Sequence, residues 1–441
     1  MHGRFDLAVV GRGFSGRMLL AQLAQSGAAK NKRIAWIGGG DALGAAYSTT
    51  RPEHLLNVPA CAMSAWAEKP DDFLQWLADA GKALSGEDFV PRATYGAYLE
   101  TITQKALAKL VEQGNRVEEF AARVAQLTRT KLGHWQLSLG SPDGVRVNAN
   151  HTVLALGNAL TPPAIAHPHY HASPWSAPFE EMKGKHVVLL GTGLTAVDCV
   201  SSLRGTGARI TAISRSGAWP QPHAVACPSY TLRSAPPQGS AAQTMRWLRD
   251  EVAHAATHHV PWQAVLNAVR QHTQGWWQNL PPQAQQSFLS HGFSAWNHHR
   301  HRMPPAGAQA IEEALSSGQM RVQRGSINAL EVAGKTLEVT LADGTRLSAD
   351  IALECRGPRY SPRAYPLLAQ MLENGNIRTT ENGAGIAVDE GFYAAKNLQL
   401  LGTPLFGQLL ETTAVPELRT QAAHAAKALA EELQKPSVRV K

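Results

Sequence analysis

Short, fully apolar runs alternate along this chain with stretches whose apolar positions recur every three or four residues, the pattern of buried parallel strands joined by amphipathic helices. Leu7–Val10 is the first such run. It feeds a glycine turn from Gly11 to Gly16 (GRGFSG), then a helical pattern over Arg17–Ala24 and a second strand over Arg33–Ile37. The same order returns at Val187–Leu190, with a turn from Gly191 to Ala196 (GTGLTA), a helix carrying Val197 and Leu203 on one face, and a strand over Arg209–Ile213. Strand, glycine turn and helix in this order cradle a dinucleotide. The first glycine makes the tight turn, the second lets backbone amides approach a pyrophosphate, and the third lets helix and strand pack closely. The helix N-terminus then offers unpaired N–H groups and a positive dipole end to the phosphates. A bare GxGxxG arises by chance roughly 0.3 times in a chain this rich in glycine, so the flanking strand and helix carry the inference. Two cradles predict two dinucleotides held at once, and narrow the chemistry to flavin and nicotinamide redox.

Trp135 to Gly157 and Leu337 to Gly357 each read as strand, Asp-Gly turn, strand, and a buried strand ending in glycine. The turn aspartate and the final glycine are equally spaced in both, at 143 and 157 and at 343 and 357. Gly157 and Gly357 would let the backbone pass close to a bound cofactor. From Pro236 to Pro305 the composition shifts to Gln, His, Trp and Ala, with helical spacing over Met245–Ala256 and Trp262–His272. Proline pairs punctuate this stretch, which predicts a helical insertion over about 236–306. Pro416–Leu433 reads as a terminal helix. The predicted fold class is α/β, with two Rossmann-like dinucleotide-binding domains and the helical insertion. The first domain is expected from 1–165 and 340–441, the second from 178–339.

At the end of the strand Arg209–Ile213 stand Ser214 and Arg215, where an NAD-specific fold carries an acidic residue for the ribose hydroxyls. The planar guanidinium fork suits a 2′-phosphate, so NADPH is the predicted donor.

A chain of 441 residues with 44% hydrophobic and 17% charged content has room for two or three domains and predicts little disorder before the tail near Lys435. No run of 18 apolar residues occurs, and the N-terminus lacks the apolar stretch of a signal, so the expectation is a soluble cytoplasmic protein with no membrane contact. The net charge of +8 comes from dispersed lysines and arginines. Dispersal argues against nucleic acid as a partner and for polyanionic cofactors or an anionic substrate. Cys61, Cys199, Cys227 and Cys355 have no CxxC spacing, which argues against a disulfide framework, a zinc site and a dithiol relay.

HHRHR at His298 to Arg302, beside Trp296, could grip an anionic substrate or the NADPH phosphates, and His298 and His301 would share a helical face. No third metal ligand accompanies them, and His254 and His258 lack the glutamate of HExxH, so no metal is expected. Trp276, Trp277 and Trp296 fall in the insertion, as core or as the wall of a planar-substrate pocket.

Beyond the two turns, AYSTTRPEHLLNVPACAMS (Ala46 to Ser64), FLQWL (Phe73 to Leu77), PRATYGAYL (Pro91 to Leu99), ISRSG (Ile213 to Gly217), HHRHRMPP (His298 to Pro305) and ETTAVPELRTQA (Glu411 to Ala422) carry a resemblance. They resemble the bacterial FAD/NAD(P)-binding flavoproteins of two-dinucleotide-domain architecture, a family that includes proteins described as FAD-dependent urate hydroxylases. A more distant similarity is to flavin-containing and ornithine N-hydroxylating monooxygenases. The resemblance implies FAD at Gly11, Gly13, Phe14, Ser15 and Gly16, and NAD(P)H at Gly191, Thr192, Gly193, Leu194 and Thr195. It also implies that Asn57 lies near the flavin ring, Val124 beside the adenine, and the stretch around Gly402 over the flavin. The chain departs from the family where IGGGD stands in place of a ribose-binding acid, leaving Asp41 nearest; where Arg356 replaces a small hydroxyl residue; and where LGTPLFG lacks an aspartate. Of the linker pattern FxGxxxHxxxW found in the wider group, His171 and Trp175 remain, with Ile165 and His167 where Phe and Gly would stand.

The function expected from sequence is an FAD-containing, NADPH-dependent oxidoreductase, a monooxygenase that uses molecular oxygen to hydroxylate a small molecule. A planar anion such as urate would suit the family and the basic segment. Asn57, Arg300 and His301 are the candidates for catalytic residues. The alternatives are an NADPH-dependent flavin reductase or dehydrogenase serving another acceptor, and a non-catalytic NADP(H)-sensing protein.

Overall fold

The computed structural model describes residues 4–39, 44, 46–159, 165–224 and 227–435. Two parallel sheets form its frame. In the first, strands Arg116–Phe120, Arg33–Ile37, Phe5–Val10, Val145–Leu154 and Leu398–Leu400 lie side by side and parallel. Tyr393–Ala395 closes one edge antiparallel. In the second, Met320–Arg324, Arg209–Ser214, His186–Leu190, Ile351–Glu354 and Tyr170–His171 are likewise parallel. Central strands are buried along nearly their whole length because each sheet has helices on one face and antiparallel strands over the other, Val124–Arg129 and Trp135–Leu139 on the first sheet and Ile327–Ala333 and Thr336–Leu341 on the second; His186–Leu190 is buried at every position.

The helix after the first glycine turn runs Phe14–Ser26 and packs between Arg92–Glu112 and Val415–Gln434. It starts inside the turn, three residues earlier than its hydrophobic pattern alone predicts. The helix Arg92–Glu112 has no counterpart among the sequence expectations, although its buried Tyr95, Tyr98, Leu99, Ile102, Ala106 and Leu110 keep the helical period. In the second half, Leu194–Leu203 packs on Pro305–Ser316, where Gly307 comes so close to Val197 that a β-carbon would stand 2.6 Å from its Cγ1.

The two Asp-Gly units differ in one respect. Val145–Leu154 is a single strand that pairs with Trp135–Leu139 through its first half and with Phe5–Val10 through its second. Its counterpart breaks at Asp350, which bonds the His186 backbone through both its N–H and its carboxylate. Arg346–Ala349 therefore joins a separate antiparallel sheet with Ile327–Ala333 and Thr336–Leu341, and only Ile351–Glu354 enters the parallel sheet. This corrects the expected boundary at 340. Residues 340–354 build the second half, and the chain rejoins the first sheet at Tyr393–Ala395.

The insertion comprises helices Ala241–Thr257, Trp262–Asn279, Pro282–Ser287 and Phe293–Arg300. Its core of Trp276, Trp277, Leu280 and Phe288 closes over Phe406 and Leu410 of the first half. Trp277 is fully buried and donates to the Gly407 carbonyl at 2.9 Å, while Trp276 donates to Thr244 Oγ1 at 2.8 Å, so both indoles are packing groups. Among the described residues no helix is long and apolar enough to cross a membrane.

Candidate functional site

The two glycine turns share one backbone wiring. Gly11 N–H donates to the Ile37 carbonyl at 2.8 Å, and Ala155 N–H to Val10 at 2.7 Å. Gly191 N–H donates to Ile213 at 2.8 Å, and Cys355 N–H to Leu190 at 3.0 Å. Both first glycines sit in the left-handed half of backbone space, at φ of 121° and 122°. A β-carbon on Gly11 would stand 2.0 Å from the Ala155 carbonyl oxygen, and one on Gly191 would stand 2.5 Å from that of Cys355. Only glycine fits under those carbonyls. Gly16 is locked in turn, with a β-carbon 2.1 Å from the Gly11 oxygen; its counterpart in the second turn is the fully buried Ala196.

The positions that would meet phosphate are open. A β-carbon on Gly13 meets nothing within 4 Å, and Gly193 meets only the Cys355 oxygen at 3.8 Å. Helices Phe14–Ser26 and Leu194–Leu203 have no side-chain N-cap, so the first N–H groups, at Phe14 and Ser15 and at Leu194 and Thr195, remain for an anion. Gly157 and Gly357 both carry positive φ, 68° and 76°, with open space around them. The residues present therefore fit a dinucleotide on each turn.

Other expected residues gather at the first cradle. Gly402 lies against it, where a β-carbon would be 3.7 Å from Ser15 Oγ. Thr412 is 1% exposed and its Oγ1 has no partner, a buried polar atom left for a ligand just ahead of the uncapped helix Val415–Gln434. Val124 opens the strand Val124–Arg129, directly after Ala122 and Arg123, which abut Gly39. Asp41 lies outside the described residues. Where the ribose-binding acid would stand, Gly38 is crossed by Arg12, whose guanidinium stacks 4.5 Å over Trp36 and pairs with Glu119. Glu119 is the carboxylate the fold brings to that place, and no sequence motif points to it.

Polar contacts occupy the seam between the halves. Ser202 Oγ donates to Glu53 at 2.6 Å, so its oxygen accepts from His54 Nε2 at 2.9 Å, and His54 Nδ1 in turn accepts from Thr49 at 2.7 Å. Arg92 and Trp175 both donate to the buried Asp198, at 3.1 and 3.0 Å. Asp198 and Ser202 lie on Leu194–Leu203, the helix of the second cradle. Trp175 is thereby an anchor, whereas the neighbouring His171 pairs as a strand residue. The backbone carbonyl of Asn57 also takes part, accepting from His223 Nε2 at 3.0 Å. Burial pushes the His223 imidazole down to about 4 and lowers His54 as well.

The basic segment differs from its expected role as a free anion grip. His301 caps the helix that ends at Arg300, its N–H donating to the Asn297 carbonyl, while His298 Nδ1 bonds the Ser294 carbonyl at 2.7 Å. Arg300 pairs with Glu411 at 3.0 Å, both nearly buried, and Arg270 holds Glu417 through two bonds of 2.7 Å. Arg302 bonds Asn267 at 2.5 Å. Burial and the surrounding arginines push His301 down to about 3, so it stays neutral. HHRHR is thus a strut that ties the insertion to the strap before the last helix. Arg356 is exposed but paired, forming two side-chain bonds to the buried Glu354, which also accepts from Tyr170 at 3.0 Å. Cys199 and Cys355, remote in sequence, bring their sulfurs to 3.8 Å, but both are buried, and burial raises the Cys355 thiol well above its ordinary value.

Ser214 Oγ lies 2.8 Å from Thr192 Oγ1 and accepts from Gly217 N–H at 3.0 Å, tying the strand end to the glycine turn. Arg215 next to it is exposed.

Residues 8–159 match a protein-family model described as FAD-NAD(P)-binding. No curated protein matches the chain. Among solved structures, the reduced form of an ornithine hydroxylase from Pseudomonas aeruginosa is similar with a TM-score of 0.64 and 13% identity, covering 98% of this chain and 100% of that one. A lysine monooxygenase from Nocardia farcinica gives 0.57 and 14%, covering 95% and 98%. A bacillithiol disulfide reductase from Staphylococcus aureus gives 0.57 and 10%, covering 98% and 99%. Residues 8–159 thus carry an FAD-NAD(P)-binding domain, and the chain shares the fold of these solved structures over nearly its whole length.

Gly11→Ala is expected to cost about 3 kcal/mol or more, since it adds a steric clash to backbone strain. Gly13→Ala should keep the wild-type melting temperature yet weaken FAD binding, read by flavin fluorescence titration. Wild-type affinity in Gly13→Ala would show that no phosphate approaches there. Arg300→Ala should lower stability by about 3 to 5 kcal/mol in denaturant titration, because Glu411 is left buried without its cation. Burial holds His223 at about 4 and His301 at about 3 and lowers His54 as well, whereas unfolded imidazoles protonate near 6.5. Stability is therefore full above about pH 6.5 and is lost as pH falls toward 4. Melting temperatures measured from pH 7.5 to 4.5 should follow that course, with a shallower slope in His301→Asn.

Proposed function

We propose that the protein is an FAD-dependent oxidoreductase that takes its hydride from NADPH, with FAD on the first cradle and NADPH on the second, and that it acts as a monooxygenase on a small molecule. The duplicated wiring at Gly11 and Gly191 carries this reading, since it supplies two phosphate-ready helix ends in one rigid frame. Gly11, Gly13, Phe14, Ser15 and Gly16 would hold the FAD pyrophosphate, with Gly402 and Thr412 at the same cradle. Gly191 to Thr195 would hold that of NADPH, and Ser214 and Arg215 its 2′-phosphate. FAD, when bound, supplies hydride acceptance and reactivity toward oxygen. The overall balance is substrate, oxygen, NADPH and one proton giving hydroxylated substrate, NADP+ and water.

This chain's own contribution is binding, orientation and exclusion of water. His223 holds the backbone carbonyl of Asn57, which fixes the loop expected near the reacting ring. Arg300 and His301 orient the strap and carry no free proton or charge for the reaction. The paired arginines also remove the argument for an anionic substrate, leaving its class as a small molecule. The similarity to hydroxylases of ornithine and lysine supports oxygen chemistry; the similarity to a disulfide reductase supports the rival, reduction of an acceptor.

Purified protein saturated with FAD should show flavin absorbance that bleaches under anaerobic NADPH and returns with air. Oxygen uptake matched to a hydroxylated product supports the monooxygenase; oxygen-independent turnover with an acceptor assigns the reductase. Failure to retain FAD would defeat both. Arg215→Ala should raise KM roughly tenfold or more for NADPH and leave that for NADH unchanged.

A further inference from the structure

The second cradle has another cation at its rim that no sequence motif announces. Strands Arg209–Ser214 and Met320–Arg324 run parallel and end level, with Arg324 in register with Ser214. Ser214 is tied to the glycine turn through Thr192 and to Gly217 N–H, so the turn carrying Arg215 is fixed against the cradle. Gly217 has φ of 68°, and a β-carbon there would lie 2.9 Å from Arg324 Cγ. The turn is bare where the Arg324 stem crosses it.

Arg215 and Arg324 are both exposed, and among the described residues neither forms an ion pair with a carboxylate. Other arginines of this half are engaged elsewhere, Arg204 with Glu313, Arg321 with Thr211, and Arg356 with Glu354. Two uncompensated guanidiniums on adjacent strand ends repel one another, and a dianion placed between them relieves that repulsion. A phosphate monoester fits this charge, and the planar fork matches its oxygens.

We propose that Arg324 is a specificity-determining residue for the 2′-phosphate of NADPH, acting with Arg215 from the neighbouring strand, and that Gly217 is glycine to let its side chain pass. The proposal rests on the second cradle being the NADPH site. It needs no change in the turn motif, and it explains why a lone Ser-Arg pair suffices at a strand end without a further basic residue in the loop.

Calorimetric titration of the full-length FAD-loaded protein with adenosine 2′,5′-bisphosphate and with 5′-AMP tests it, in wild type, Arg215→Ala, Arg324→Ala and Arg324→Lys. Arg324→Ala should weaken the bisphosphate roughly tenfold or more and leave 5′-AMP unchanged, with Arg324→Lys in between. An Arg324→Ala that binds both as wild type does, or loses both equally, overturns the proposal. If Arg215→Ala alone loses the bisphosphate preference, the NADPH assignment stands and Arg324 falls. If wild type shows no preference, the NADPH assignment itself fails.

Discussion

A glycine pressed under the carbonyl of the adjacent strand is the contact on which this structure depends, and it occurs twice. At Gly11 the neighbour is Ala155 and at Gly191 it is Cys355. The contact forces the chain to leave the strand at a positive φ and turn at once into a helix whose first N–H groups have no partner. Phosphate binding is thereby built from backbone, and the side chains around it are free to set which dinucleotide is taken. The strands feeding the two contacts, Val145–Leu154 and Ile351–Glu354, descend from hairpins with the same Asp-Gly spacing. A break at Asp350 lets the second unit give its outer strand to a separate sheet without disturbing the carbonyl beneath the glycine.

The seam between the halves is polar where most cores are apolar. Ser202 gives its one proton to Glu53, which obliges His54 to donate through Nε2 and accept through Nδ1; each group in the chain has one role. Asp198 is held from two sides by Arg92 and Trp175. Such contacts are directional, so they set the orientation of the second cradle's helix against the first half more narrowly than hydrophobic packing would. For a hydride to pass between two cofactors, orientation is the quantity that has to be set.

The glycine turns, their strands and the helical insertion were legible because local period and turn chemistry specify them. The domain boundary was not, since Ile351–Glu354 and Leu398–Leu400 are both short apolar runs and only pairing tells which sheet takes each. Arg92–Glu112 is readable from its own period. HHRHR misled because charge along a chain does not show what it faces: Glu411 and Glu417 lie more than a hundred residues away. Arg324 and Glu119 have no local signature at all; each is placed by strand register.

Net charge illustrates the same limit. An excess of +8 suggests a cationic surface ready for anions, yet Arg17, Arg92, Arg270, Arg300 and Arg356 are all held by carboxylates within the protein. A buried guanidinium with a bonded carboxylate has no charge to offer a ligand, and breaking the pair would cost more than an incoming anion returns. What attracts an anion is the cation left over after internal pairing, in a place where backbone donors converge. The second cradle, with its uncapped helix end and the exposed Arg215 and Arg324 at the neighbouring strand ends, is where we propose that both conditions meet.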